Sequence, residues 1–331
     1  MTKTNTSQKT IDWALVIIVN FMWATQVPVI RLIGDSMGAV TVAFVPMIIS
    51  SLIFLPILAF ENKKRGVGFR YRFRDFKVFL LPAIIGVFVM QYAYTVGSRY
   101  TLAANAGIIT LTIPVLVAVF AAFLLKEKLN LIRIISFLIA IIGVLITSVS
   151  DLHAADFGKS QFLAGNLIFL FASACCAFYN TYCKLLVDKG YTELEIMVYS
   201  SLIGSILSIP LLIWMEPFSL TQFLNSGSVP LFGILELSVI VYGLSMILFF
   251  SVLKRMDVTQ ATLGNYLLPF FIALMGVWLL NEKITLTMLI GGGLILASTL
   301  MVTIYEERLL NYFRSRRKIN PKPTTLHSIK N

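Results

Sequence analysis

Residues 101–130, TLAANAGIITLTIPVLVAVFAAFLLKEKLN, recur in altered form as residues 256–285, MDVTQATLGNYLLPFFIALMGVWLLNEKIT. At a constant shift of 155, Ala106 meets Ala261, Pro114 meets Pro269 and Ala118 meets Ala273. Leu124-Leu125 then meets Leu279-Leu280, and Glu127-Lys128 meets Glu282-Lys283, making seven identities in thirty positions without a gap. Two unrelated apolar helices share leucines and alanines through composition alone. They do not readily share a proline and a Glu-Lys pair held thirteen residues apart, from Pro to Glu, in both copies. The chain therefore reads as an internal duplication, and its fold has to be built from two like halves.

The halves read as membrane helices. Only 13% of the 331 residues are charged and 58% are hydrophobic, with a mean hydropathy of +0.86. A soluble domain carries about 25% charged residues, so a surface this poor in charge needs lipid as its outer solvent. Apolar segments that reach or approach the length needed to cross ~30 Å of hydrocarbon fall at about 12–33, 37–60, 78–98, 103–125 and 131–149. A second set falls at about 164–186, 196–215, 228–252, 259–280 and 286–304. The expected fold is an all-α integral membrane protein of ten transmembrane helices in two five-helix repeats, 12–149 and 163–304, with a basic tail at 305–331. The polar opening MTKTNTSQKT runs directly into the first span. It lacks the short apolar core and small-residue cleavage site of a signal peptide, so the first helix is expected to be retained. Cys175, Cys176 and Cys183 share one apolar helix and read as small packing residues, not a disulfide framework.

Basic residues accumulate on the cytoplasmic side of a membrane. With the N-terminus placed there, 23 of the 27 Lys and Arg fall on that side, leaving Arg31, Arg99, Lys159 and Lys283 on the other. Both termini are thus expected in the cytoplasm, with the chain in the cytoplasmic (inner) membrane. Five crossings is an odd number, so the second repeat has to enter upside down relative to the first. Inverted repeats of this kind build secondary transporters, whose halves exchange roles to open one site to each face in turn. A membrane scaffold made of duplicated helices is the alternative. The net charge of +11 does not point to nucleic acid. The run FRYRFRDFK at 69–77 lies between two spans, where Arg with Phe and Tyr anchors a helix at the headgroups. The tail shows no apolar periodicity beyond Arg317 and carries two prolines, as a disordered segment does.

The small-residue-rich pattern A-x-N-A…P…L-L-x-E-x-L of residues 103–129, together with FMWATQVPVIRL (21–32) and ACCAFYNTYCKLL (174–186), resembles the EamA family of the drug/metabolite transporter superfamily. The resemblance covers about residues 12–304, both repeats included. It implies a carrier whose first-to-fourth and sixth-to-ninth helices surround a central cavity. It also implies export of amino acids or similar small metabolites, with uptake or exchange, including a sugar-phosphate type of carrier, as the alternative. Partners would be a small-molecule substrate and the lipid bilayer, for a monomer or homodimer. Glu127 and Glu282 belong to the motif but follow their helices, which fits helix-end or loop-packing groups better than ligands.

Polar groups within spans are costly in lipid unless they face protein or water, so they mark a pathway. Among them, Trp23, Gln26, Tyr92, Asn105, Tyr179, Asn180, Asn265 and Tyr266 are the candidate substrate-binding residues. Trp23 and Tyr266 either stack on an apolar substrate or fill core volume. Pro114 and Pro269 each free a carbonyl one turn earlier, near Thr110 and Asn265. Such a carbonyl can bind substrate or let the helix bend, or it can belong to a static kink satisfied by a neighbour. Glu236 is the one carboxylate well inside a span, ~12 Å deep at 1.5 Å per residue. It is a candidate for proton coupling or cation binding; the alternative places it at the outer interface. The fifth and tenth spans are nearly free of polar groups and read as packing or dimerisation elements. His153 and His327 lie in a loop and the tail, and neither a phosphate-binding loop nor a dinucleotide turn is present. No metal, cofactor or enzymatic activity is expected. Transport then draws on a gradient. None of the 27 basic residues falls at mid-span, which disfavours strongly anionic cargo such as nucleotide-sugars. An intramembrane lipid-modifying enzyme would need clustered His, Asp or Glu at one depth.

Overall fold

The computed structural model describes residues 6–66, 73–126, 131–149, 161–216, 223, 225–253, 255 and 264–319. Among them every regular element is helical. In chain order these are α1 (Thr10–Ile33), α2 (Ala39–Lys64), α3 (Phe76–Tyr100), α4 (Ala103–Leu124), α5 (Leu131–Val149), α6 (Phe162–Asp188), α7 (Glu193–Met215), α8 (Ser228–Phe249), α9 (Asn265–Leu280) and α10 (Leu286–Ile319). Seven are long and apolar enough to cross a membrane. The apolar stretches of α5, α9 and α10 are shorter, at Ile134–Thr147, Asn265–Leu280 and Leu286–Met301. Helix α10 continues to Ile319, so the basic tail begins as helix.

The distribution of side chains is that of a protein solvated by hydrocarbon. Phe123, Trp214, Phe232 and Leu286 stand exposed, whereas Asn20, Thr95, Asn105 and Asn166 are fully buried. A water-soluble protein buries its apolar groups and exposes polar ones; here lipid reverses the second half of that rule. The chain is a multi-pass membrane protein.

Irregularities recur at the shift of the sequence repeat. Helix α3 contains a π segment at Pro82–Val89, and α8 contains one at Glu236–Leu244. Helix α4 is interrupted at Leu111–Thr112 before Ile113–Leu124; α9 begins as 3₁₀ turns at Gly264–Leu267 before Leu268–Leu280. Pro114 and Pro269 occupy the second position of these two segments, where a missing N–H costs little. Left-handed backbone follows each, at Lys126 (φ 55°) and Asn281 (φ 54°). Helix α1 is interrupted at Thr25, but its counterpart α6 is continuous.

Small residues bring the helices together. Helices α5 and α10 pack on one another through Gly143 and Gly291, where a Cβ on Gly291 would lie 2.6 Å from the Gly143 carbonyl oxygen. These two helices are thus packing elements within the chain. Helices α2 and α7 pack side by side and α3 lies against α6. The first segment of α4 runs along α9, with Gly107 against Pro269.

Candidate functional site

The interruption of α1 starts from Pro28. Without an N–H it leaves the carbonyl four residues earlier unpaired, and the regular ladder resumes with Val29 N–H on the Thr25 carbonyl at 2.9 Å. This turns Trp23, Thr25 and Gln26 towards α8. The Trp23 indole N–H donates to Ser245 Oγ at 2.9 Å, and its ring sits edge-on to Phe249 at 5.1 Å. Thr25 Oγ1 donates to Glu236 Oε1 and also lies 2.7 Å from the Met22 carbonyl oxygen. Gln26 Nε2 donates to the Tyr242 hydroxyl at 2.7 Å.

Tyr242 is the junction of the site. Its hydroxyl oxygen accepts from Gln26 and from Gln91 of α3, while its backbone carbonyl accepts from Ser50 Oγ of α2 at 2.9 Å. Four helices therefore meet at one residue inside the π segment of α8. A π segment inserts one residue per turn and is frequent at functional sites. Here it rotates Tyr242 towards Gln91, which lies just beyond the repeat-equivalent π segment of α3. Glu236 opens the α8 π segment, and its Oε2 is buried with no hydrogen-bond partner among the described residues.

The other residues singled out from sequence fall into three places. Tyr92 and Tyr179 belong to a cluster with Phe44, Val87 and Leu212, in which Tyr92 is parallel to Phe44 at 6.3 Å. Tyr179 fills the space left by Gly86 in the α3 π segment, where a Cβ would lie 2.3 Å from its ring. Asn180 is exposed, yet it lies two helical turns from buried Ser173 and opposite the lipid-exposed Phe171. Its Nδ2 donates to Cys176 Sγ at 3.8 Å. Asn105 is fully buried with neither end of its amide partnered among the described residues; each such group costs about 1–3 kcal/mol in the state that leaves it so. Asn265 is exposed in the 3₁₀ turn, and Tyr266 beside it packs on the cluster of Ala24, Val27 and Phe169. Tyr94 packs against that cluster and against the Ile30, Ile33 and Val241 cluster as well. It thereby joins the α1–α8 junction to α6.

At the interruption before Pro114 a carbonyl of α4 is served from another helix. Thr299 of α10 donates to the Leu111 carbonyl at 2.5 Å, and Thr110 and Thr112 turn their hydroxyls back to Gly107 and Ile109. Glu282 is a helix-end group, accepting from Ala103 and Ala104 N–H and from Arg31. Glu127 lies outside the described residues. Sequence reasoning passed over Tyr242, which sits in the apolar run VIVYGLS. Only its place beside the polar glutamines of α1 and α3 marks it, and that is a tertiary fact. A separate apolar cleft of about 270 Å³ lies between α4, α5 and α6, lined by Val115, Phe137, Leu167 and Phe171 among others. It carries no free polar group, since Thr112 is already bonded to Ile109.

The sequence profile of the EamA-like transporter family matches residues 12–149 and again 163–304. A probable terminal-alkyne amino-acid exporter of Streptantibioticus cattleyicolor is 24% identical over 290 residues, covering 88% of this chain and 92% of its own. An S-adenosylmethionine uptake transporter of Rickettsia conorii is 24% identical over 288 residues, covering 85% and 88%. The crystal structure of another protein shares the fold, with TM-score 0.57 and 18% identity over 89% of this chain and 98% of that one. The two matched units, taken with helices that carry polar groups inside and apolar groups outside, show that the chain belongs to the EamA-like transporter family.

Proposed function

We propose that the chain is a secondary transporter that moves small organic metabolites, amino acids or similar compounds, out across the cytoplasmic membrane by alternating access. In this reading ten helices span the bilayer as two inverted five-helix repeats, and both termini lie in the cytoplasm. The observation that carries it is the junction at Tyr242, where Gln26 and Gln91 meet one hydroxyl between repeat-equivalent π segments. Polar side chains gathered there are costly in a membrane protein unless they serve a pathway. Trp23, Gln26, Tyr92, Asn105, Tyr179, Asn180, Asn265 and Tyr266 line that pathway on this reading. Cargo of low net charge fits it, because Arg31 and Arg99 sit at helix ends and are bonded to Glu282 and to the Met37 carbonyl. Export of amino acids is supported by the exporter among the relatives, and uptake or exchange by the uptake transporter.

Glu236 is the coupling group in this account. Thr25 has one hydroxyl proton and two acceptors in reach, the Met22 carbonyl and Glu236. Both contacts become hydrogen bonds when Glu236 carries a proton and donates it to Thr25 Oγ1. The pair thus has one arrangement for the loaded carboxyl and another for the empty one.

The test is a thermal-shift screen of purified protein against a metabolite library, followed by flux in proteoliposomes. A cargo present at about 100 times its dissociation constant stabilises the folded state by about 2.7 kcal/mol. At least one stabilising compound should then move across the vesicle membrane without ATP. Stabilising compounds that never cross, in vesicles holding folded protein, would overturn the reading.

A further inference from the structure

At one end of the bundle α1, α7 and α9 finish and α2 and α4 begin, and two carboxylates tie these ends in two groups. Glu216, after α7, accepts from Val40 and Thr41 N–H at 2.9 and 2.8 Å, in space that Gly38 leaves open. Glu282, after α9, accepts from Ala103 N–H at 2.8 Å and Ala104 N–H at 3.1 Å, and pairs with Arg31 of α1. The first N–H groups of a helix have no partner within it and carry partial positive charge, so Glu282 completes the start of α4. Its side chain is 3% exposed. Gly276 makes the room: a Cβ there would lie 2.7 Å from Glu282 Oε2.

Glu282 differs from Glu216 in what it joins. Helices α1 and α4 are interrupted at Thr25 and Leu111–Thr112, and α9 begins as 3₁₀ turns at Gly264–Leu267. One carboxylate binds all three. The segment it holds, Ala103–Thr110, packs chiefly along α9 and also meets α5, α6 and α10, the three helices on which Ile113–Leu124 packs beyond the interruption. The interruption at Leu111–Thr112 thus separates the part of α4 that lies along α9 from the part that does not.

From this geometry we infer that Glu282 and Arg31 form the latch of this end of the transport pathway. Breaking its Arg31 arm frees the first segment of α4, still bonded to Glu282 at the end of α9, to move away from α1 about Leu111–Thr112. The inference rests on the transport reading, and the orientation taken from the basic residues makes this the external end.

The experiment uses the full chain with Cys175→Ala and Cys183→Ala, leaving Cys176 beside Asn180 as the only thiol. The protein is reconstituted in sided liposomes and labelled with an impermeant methanethiosulfonate from the latch end. Labelling should be slow in this parent. Glu282→Gln and Arg31→Met should each raise the rate about tenfold, as a shift of the closed–open equilibrium by that factor requires. Arg31→Lys, which keeps the charge, should stay near the parent. Arg31→Met leaves both bonds from α4 to Glu282 in place, so it decides the matter if Glu282→Gln is recovered unfolded. Unchanged labelling in folded Arg31→Met protein would overturn the latch. No substrate enters the assay, so failure of the transport reading would appear in flux and not here.

Discussion

The hydroxyl of Tyr242 receives two amide donors, and Tyr242→Phe leaves both without a partner inside the bundle. Unpaired buried donors cost about 1–3 kcal/mol each. The variant should therefore melt lower in detergent and transport more slowly, while a Tyr100→Phe control on an exposed ring should melt as the parent does. Glu236→Gln keeps size and hydrogen bonding but carries no exchangeable acid. Accumulation driven by a pH gradient should be lost, exchange at equal pH should persist, and stability should not fall. An unchanged response to the gradient in proteoliposomes would leave the cargo's own gradient as the driving force. Trp23, Gln26 and Glu236 were legible in the sequence because polar groups stand out against lipid-soluble neighbours. Tyr242 was not, because an amphipathic tyrosine in a span fits core, interface or site equally well, and a π segment decides which way it faces.

The repeat fixed by Pro114/Pro269 and Glu127/Glu282 extends to elements the residues do not announce. The π segments of α3 and α8 share no motif, and Lys126 and Asn281 differ in residue type within a shared one, yet each pair falls at or within one residue of the repeat shift. Backbone geometry is retained where side chains have diverged. A missing N–H has a fixed local consequence, and Pro114 and Pro269 each stand second in the segments that begin at Ile113 and Leu268. Which carbonyl would be rescued depended on Thr299 of α10, a contact 188 residues distant. Pro114→Ala and Pro269→Ala should restore a straighter ladder where bending is proposed. Each is expected to lower flux more than it lowers the amount of folded protein in the membrane. Equal losses of flux and of abundance would confine the prolines to folding.

At the scale of the whole molecule, composition and segment spacing made the membrane class legible, and helix packing follows from small residues at Gly107, Gly143 and Gly291. What spacing does not carry is which ends meet. Contacts give that: Arg31, Ala103 and Glu282 share one end, while Asp12 of α1 and Arg255 after α8 pair at 2.8 Å at the other. These contacts fit helices that alternate in direction and halves that face opposite ways. The proposed inversion of the two halves is tested at the loops joining the second and third spans of each repeat. In a cysteine-free background, Ser226→Cys should label with an impermeant thiol reagent added outside intact cells, and Gly68→Cys should label only after the membrane is permeabilised. Labelling of both from the same side would contradict the inverted arrangement, and the swapped pattern would contradict its orientation.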